Sequence, residues 1–288
     1  MAGNANFDDI ITTTLRNRSE RLADAVSNNN ALLSYLKRRG NVKTASGGRT
    51  IVHELDYSEN SSFARYSGYE TLSIAPSATF TAAEYSWKQA AVAVTMSGLE
   101  ILQNSGEDQI IDLMESRIVN AERTMANNLA SDVYSTGTAD GGKQIGGLQL
   151  LVPDDPTTGT AGGIDRAGAG NTFWRSQVLD ASSHLGTAPT SSTILSAMNL
   201  LYTRCTRGND KPDLIVADNN YFNLYLNSLQ ANQRYTNEKT ASAGFPNLQF
   251  WGGAADVVLD GGIDGGCPAN HMYFVNANEN CETIRLAA

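Results

Sequence analysis

Cysteine is scarce in this chain. The three present, Cys205, Cys267 and Cys281, are odd in number and widely spaced. That excludes a disulfide framework and fits a reducing compartment. Long hydrophobic runs are missing too: no stretch approaches the roughly 18–20 apolar residues needed to span a bilayer. The first residues, Met-Ala-Gly-Asn-Ala-Asn-Phe-Asp-Asp, lack the basic start and apolar core of a secretory signal. The protein is therefore expected to be made and used in cytoplasm, away from membranes. Positive charge is short, with 21 Lys and Arg against 30 Asp and Glu, a net charge of −9 and a pI of about 4.8. This argues against a broad basic face that grips nucleic acid. It is compatible with simple solubility, and with a container whose acidic inner wall lets a packed polyanion slide. Proline is low at 7 and glycine high at 26, so glycine makes many of the turns. Hydrophobic residues, 41% of the 288, recur along the whole length and exclude a disordered chain. The length suits one large domain or two modest ones.

The residue types that carry chemistry are present but badly arranged. Gly137-Thr138-Ala139-Asp140-Gly141-Gly142-Lys143-Gln144 has the glycine and lysine spacing of a phosphate-binding loop. Its last position should be Ser or Thr to hold magnesium, and the loop should follow a strand and open a helix. Here Gln144 fills that position, and the segment follows a helical pattern. Cys267, His271 and Cys281 match no common zinc spacing and lack a fourth ligand; buried thiols and a loop histidine are expected instead. His53-Glu54 lacks a second histidine, and His184 has no nucleophile partner. Asp256, Asp260 and Asp264 are interrupted by glycines and read as turn formers. No catalytic residue, cofactor or metal is expected. A phosphate-loop α/β enzyme is the remote alternative.

Residues 49–135 carry more information. Arg49–Met96 alternates in strand fashion at both ends, and its return half, Thr79–Met96, holds Phe80, Tyr85, Trp87, Val92 and Val94. The outer part is polar and aromatic together, with Phe63, Arg65, Tyr66 and Tyr69 set among Asn60, Ser61 and Ser62. Exposed aromatics of this kind are typical of interfaces. A long helix is expected over 108–134, with Ile111, Met114, Ile118, Ala121, Met125 and Leu129 along one face, packed on a sheet. Before the arm, Ile11 to Val26 reads as one helix, and Asn30 caps another over Ala31–Arg39 that Gly40 ends. That helical segment suits either a plain hairpin or an arm laid on a neighbour. After the long helix, Ile145–Val152 reads as a short strand. Helices follow near Ser192–Arg204 and Asn219–Gln230, with strands at Asp213–Val216, Leu248–Trp251, Asp256–Leu259 and Met272–Val275.

In this order the chain resembles the major capsid proteins of tailed bacteriophages, the Hong Kong 97-like fold. Tyr85-Ser86-Trp87-Lys88-Gln89 followed by Met96-Ser97-Gly98 resembles the return strand of the family's extended loop and its junction with the spine helix. Lys211-Pro212-Asp213-Leu214-Ile215-Val216, Leu229-Gln230-Ala231-Asn232-Gln233-Arg234-Tyr235, Asp256-Val257-Val258-Leu259-Asp260-Gly261-Gly262 and Asn270-His271-Met272-Tyr273-Phe274-Val275-Asn276 resemble the axial lobe of one subgroup. The resemblance implies an α+β fold: an N-terminal arm (1–47), an extended β-hairpin loop (48–98), a peripheral domain (99–170) whose sheet carries the spine helix, and an α/β axial domain (171–288) whose last strands return toward the peripheral domain. It implies a shell of hexamers and pentamers enclosing double-stranded DNA without sequence-specific binding, in a virion assembled in host cytoplasm. Portal and decoration proteins are implied partners. The N-terminal arm is too short to be a large built-in scaffold, so a separate scaffolding protein is expected. Candidate subunit-interface residues are Phe63, Arg65, Tyr66, Tyr69 and Trp87 on the loop, and Arg234 and Tyr235 in the axial lobe. Lys88, the one lysine of the loop, lies on a strand rather than at the tip, and no isopeptide cross-link is expected. A bacterial nanocompartment shell, which shares the fold and encloses an enzyme, is the alternative.

Overall fold

The computed structural model describes residues 30–41, 47–72, 74–99, 107–229, 247–261, 266–277 and 286–287. The helix expected over 11–26, Arg234, Tyr235, Asp264 and Cys281 lie outside these residues.

The core is built on a mixed five-stranded sheet. Its strands are β5 (Leu214–Ala217), β6 (Asn247–Phe250), β7 (Ala255–Leu259), β8 (Met272–Val275) and β9 (Leu286–Ala287), in the order β6-β7-β5-β8-β9. β5 and β7 run parallel and the other pairs are antiparallel. Leu214, Ile215, Val216 and Ala217 are all fully buried, and so is nearly all of β8. Continuous apolar runs of this kind mark strands covered on both faces.

One face carries Ile215, Val257, Phe250 and Phe274. It is covered by a helix at Ile194–Cys205, through Ile194, Met198, Leu201 and Tyr202, and by a helix at Asn219–Leu229, through Phe222 and Tyr225. The other face carries Leu214, Val216, Val258, Tyr273 and Val275. It is covered by helix α1 (Ala31–Arg38), by Tyr134 and by a helical turn at Leu148–Leu151. The side chain of Asn30 accepts the Leu33 amide at 3.0 Å and starts α1; Gly40, at φ 74°, ends it. α1 is thus packed on the chain's own sheet.

The long helix, α2, spans Glu107–Asp132. Within its described side chains, Ile118 and Ala126 are buried, whereas Ala121, Met125 and Leu129 are half-buried. The inward line is therefore shifted from the expected one at its C-terminal half. The residues just past its end, Val133 and Tyr134, pack on the five-stranded sheet.

Two further expectations are corrected. Ile145–Val152 is not a strand: Leu148–Leu151 forms a helical turn, with the Leu151 amide bonded to Gly147 O and the Val152 amide to Leu148 O. Leu148 and Val152, four residues apart, are the buried pair, and that spacing follows a helix rather than a strand. The return half of the arm is a strand only over β2 (Phe80–Ser86), not to Met96. Its partner β1 (Thr50–Asp56) begins opposite Ser86. Gly47 and Gly48 before it have φ 130° and 115°, and residues 87–97 pair with no strand among the described residues.

Candidate subunit interface

The β1–β2 hairpin has two unlike faces, because successive side chains alternate across a strand. The inner face carries Ile51, His53, Leu55, Thr81, Ala83 and Tyr85. Leu55 and Ala83 are buried on it, and His53 meets the edge of the Tyr85 ring at 6.0 Å between centroids. This face rests on a small antiparallel hairpin, β3 (Thr160–Ala161) and β4 (Ile164–Asp165), which the sequence did not signal. The Glu84 amide donates to Gly162 O at 2.9 Å. Gly162 has φ +58°, and a Cβ there would lie 2.8 Å from the Ala83 Cβ and 3.1 Å from the Tyr85 hydroxyl. Only glycine fits this seat without strain. Beside it the Tyr57 and Phe173 rings lie 4.8 Å apart, and Trp174 Nε1 donates to Ala161 O at 3.0 Å.

Arg166 lies under the seat, almost wholly buried. Its guanidinium donates to Leu150 O at 2.6 Å and Leu151 O at 2.9 Å, while Nε has no partner among the described residues. Burial lowers the arginine's pKa, and the nearby Tyr85 works against that. Burial in turn raises the pKa of Tyr85, which Arg166 partly offsets. Arg166 therefore ties the 148–151 turn to the β3–β4 hairpin on which the arm rests.

Beyond Asp56 and Phe80 the ladder ends. Tyr57 N donates to Thr79 O at 3.0 Å, and Ser61 N to Ser77 Oγ at 3.3 Å. Asn60 turns the chain by accepting the Ser62 amide at 2.9 Å. The aromatic residues then stand in solvent: Phe63 is 78% exposed, Tyr66 64% and Tyr69 fully exposed, joined by Ile74 at 96%. Arg65 lies 5.9 Å from the Phe63 ring centroid, a cation–π contact that leaves both outward. Trp87 is at the opposite end of the arm. It is half exposed, and its Nε1 donates to Gly48 O at 2.9 Å, which closes the hairpin base. Lys88 Nζ bonds Gly142 O. The structure thus brings Phe63, Arg65, Tyr66 and Tyr69 into one exposed stretch and holds Trp87 apart from them.

The residues weighed for chemistry are scattered. Residues 139–142 form a distorted turn in which Asp140, Gly141 and Gly142 all have positive φ. Lys143 is exposed and follows this turn rather than opening a helix. Cys267 Sγ donates to His271 O at 3.3 Å, and His271 Nε2 lies 3.0 Å from Asp154. Burial pushes the Cys205 thiol up to about 12 and raises that of Cys267 as well. Among the described residues no three His, Cys, Asp or Glu converge on a metal position, and no helix is long and apolar enough to cross a membrane.

Sequence reasoning missed the structural role of three buried aspartates at the sheet ends, one of which, Asp260, it read as a turn former. Asp213 accepts the Ala277 amide at 2.8 Å and pairs with Arg39. Asp218 accepts Tyr221 N at 2.9 Å and Asn270 N at 2.7 Å. Asp260 accepts from the Tyr134 hydroxyl and from Leu32 N. The available signal was an acid directly flanking an apolar strand, which a purely local reading takes for a turn.

No protein-family model matches the chain, and no curated protein matches it. Among solved structures it is similar to a chain of the cyanophage A-1(L) capsid asymmetric unit, with 21% identity and a TM-score of 0.49. The alignment covers 80% of this chain and spans 66% of that chain.

Proposed function

We propose that this chain is a major capsid protein of a tailed bacteriophage. Copies of it join as hexamers and pentamers into an icosahedral shell around double-stranded DNA, with the help of a separate scaffolding protein. The observation that carries this reading is the arm. Its base is seated on the chain's own body, while its outer part holds Phe63, Tyr66, Tyr69 and Ile74 in water. A hairpin of this size is marginal alone in water, and exposed aromatics in this number mark a surface that another molecule covers. The hairpin, the long helix α2 and the helix-covered sheet, in that chain order, support the reading. Contacts made by one arm on the next subunit are heterologous, and such contacts close into rings.

Negative-stain electron microscopy of the purified chain, alone and co-expressed with the proteins of its gene neighbourhood, tests the proposal. Closed particles or capsomer rings support it. Dispersed monomers in both samples overturn it.

A further inference from the structure

The outer face of the β1–β2 hairpin carries Val52, Glu54, Asp56, Phe80, Ala82 and Glu84, and all six are exposed. Val52 is 51% and Phe80 72% exposed. The register sets Val52 opposite Glu84, Glu54 opposite Ala82 and Asp56 opposite Phe80. Each carboxylate thus has an apolar residue across the ladder, and Glu54 stands between the other two, diagonal to Glu84 and two residues from Asp56 on its own strand. Among the described residues none of the three has a hydrogen-bond or ion-pair partner for its side chain. Like charges gathered on an apolar face raise its potential and select a partner that is cationic and has apolar stems.

Such a counterpart exists on the same chain. Residues 1–49 hold eight of the 21 Lys and Arg but four of the 30 Asp and Glu, which leaves 13 against 26 in the remainder. The run Lys37-Arg38-Arg39 is the only place where cationic residues adjoin. Arg39 is turned inward, paired with Asp213 and lying over the Tyr35 ring at 4.8 Å. Lys37 and Arg38 stand exposed on the last turn of α1, with Arg38 reaching back to Ser34 at 3.4 Å. α1 is fixed on the five-stranded sheet and the hairpin on β3–β4, and among the described residues no ion pair joins the acidic patch to this turn.

We infer that the outer face of this hairpin docks on the Lys37–Arg38 turn of α1 in a second copy of the chain. The carboxylates of Glu54, Asp56 and Glu84 meet the two cations, and Val52 and Phe80 take their methylene stems. The inference rests on the shell-forming reading and deepens it by naming the patch on which the arm lands. Two different patches on each subunit make the contact directional, so it can propagate around a ring.

The test is a charge exchange. One variant carries Glu54→Lys and Glu84→Lys, a second Lys37→Glu and Arg38→Glu, and a third all four. Particle yield is read by sedimentation and electron microscopy, and folding by thermal melting. Because the contact repeats at every subunit, each pair alone is expected to cut particle yield at least about tenfold. The fourfold variant is expected to recover to within about threefold of wild type, and wild-type assembly to weaken in molar salt. Normal assembly of either paired variant overturns the docking while leaving the shell reading intact. Loss in both pairs without recovery in the fourfold variant, with melting unchanged, also overturns it, and assigns the acidic face to a different basic protein. A wild-type chain that never assembles overturns the shell reading and this inference together.

Discussion

The hydroxyl of Tyr134 donates a hydrogen bond to the carboxylate of Asp260, 126 residues further along the chain. The contact joins the end of α2 to the end of β7. The same carboxylate accepts Leu32 N at 3.5 Å from the first turn of α1. One acid therefore holds three segments of the chain, and a neutral side chain without acceptors would orphan both donors. Asp260→Ala should cost about 2–4 kcal/mol, and Tyr134→Phe about 1 kcal/mol. Urea titrations of the two variants measure this. Equal, small losses would mean that the three segments are held by apolar packing alone.

Burial raises the pKa of Asp260, against the opposing effect of the Tyr134 hydrogen bond and the α1 amides. An acid whose folded pKa lies above its unfolded value contributes stability that is fully present below the unfolded pKa and is lost as pH rises through the folded one. The groups facing it are Tyr134 and Cys267, both themselves shifted upward; at neutral pH both are uncharged, and neither can become a cation that would favour the ionised carboxylate. The stability of wild type relative to Asp260→Asn should therefore increase as pH falls from 7 toward the ordinary carboxylate range. A difference that stays flat with pH, or shrinks on acidification, would contradict the environment described for this group.

Along α2, Ile118 and Ala126 are buried while Met125 is half-buried. Ile118→Asp should place an unpaired charge where no solvent reaches and cost several kcal/mol, about 3 or more. Met125→Asp should cost clearly less, because its side chain can turn toward water. Thermal melting of the pair decides the facing of the helix, and the reverse ranking would show that the helix is rotated.

Gly162→Ala tests the seat of the arm. The change forces an L side chain into φ +58° and sets its Cβ 2.8 Å from that of Ala83. The expected cost is about 1–3 kcal/mol, as for other overpacked sites. The strain falls at the arm's base, so proteolysis within residues 57–79 should accelerate more than global melting changes. Unchanged proteolysis would place the anchor elsewhere.

Much of this architecture was legible in the sequence wherever one local rule decided the outcome. Leu214–Ala217 and Met272–Val275 are uninterrupted apolar runs, and both are strands buried on two faces. Asn30 caps the helix it was expected to cap. The misreadings share a cause, which is that the deciding partner is remote. Val92 and Val94 are strand formers, yet they stand about 40% exposed and lie outside the strands of the described residues. Ile145 and Val152 flank Leu148–Leu151 with strand formers, but the Leu151 and Val152 amides bond back along the chain as a helical turn. Asp260 looked like a turn residue because Tyr134 and Leu32 are invisible from its neighbourhood. In the candidate interface, the solvated aromatics were legible from their polar company. The Gly162 seat was not, since two-residue strands such as β3 and β4 carry no periodicity.

The outer arm separates folding from assembly. Phe63, Tyr66 and Tyr69 touch little of their own chain, so replacing all three by Ser should shift subunit stability by no more than about 0.5 kcal/mol per site. Aromatics at the centre of an interface commonly carry 2 kcal/mol or more each. The same triple variant should therefore form soluble, normally melting subunits that fail to close particles. Removing Glu59–Tyr69 altogether should act likewise, because the Tyr57–Thr79 closure and the Glu84–Gly162 bond both lie outside the excised stretch. Circular dichroism melting and electron microscopy on the same preparations give the two readouts. Particles of normal yield from either variant would show that the exposed aromatic stretch is not an assembly element. Loss of the folded subunit itself would show that the arm belongs to the core of its own chain rather than to a neighbour's surface.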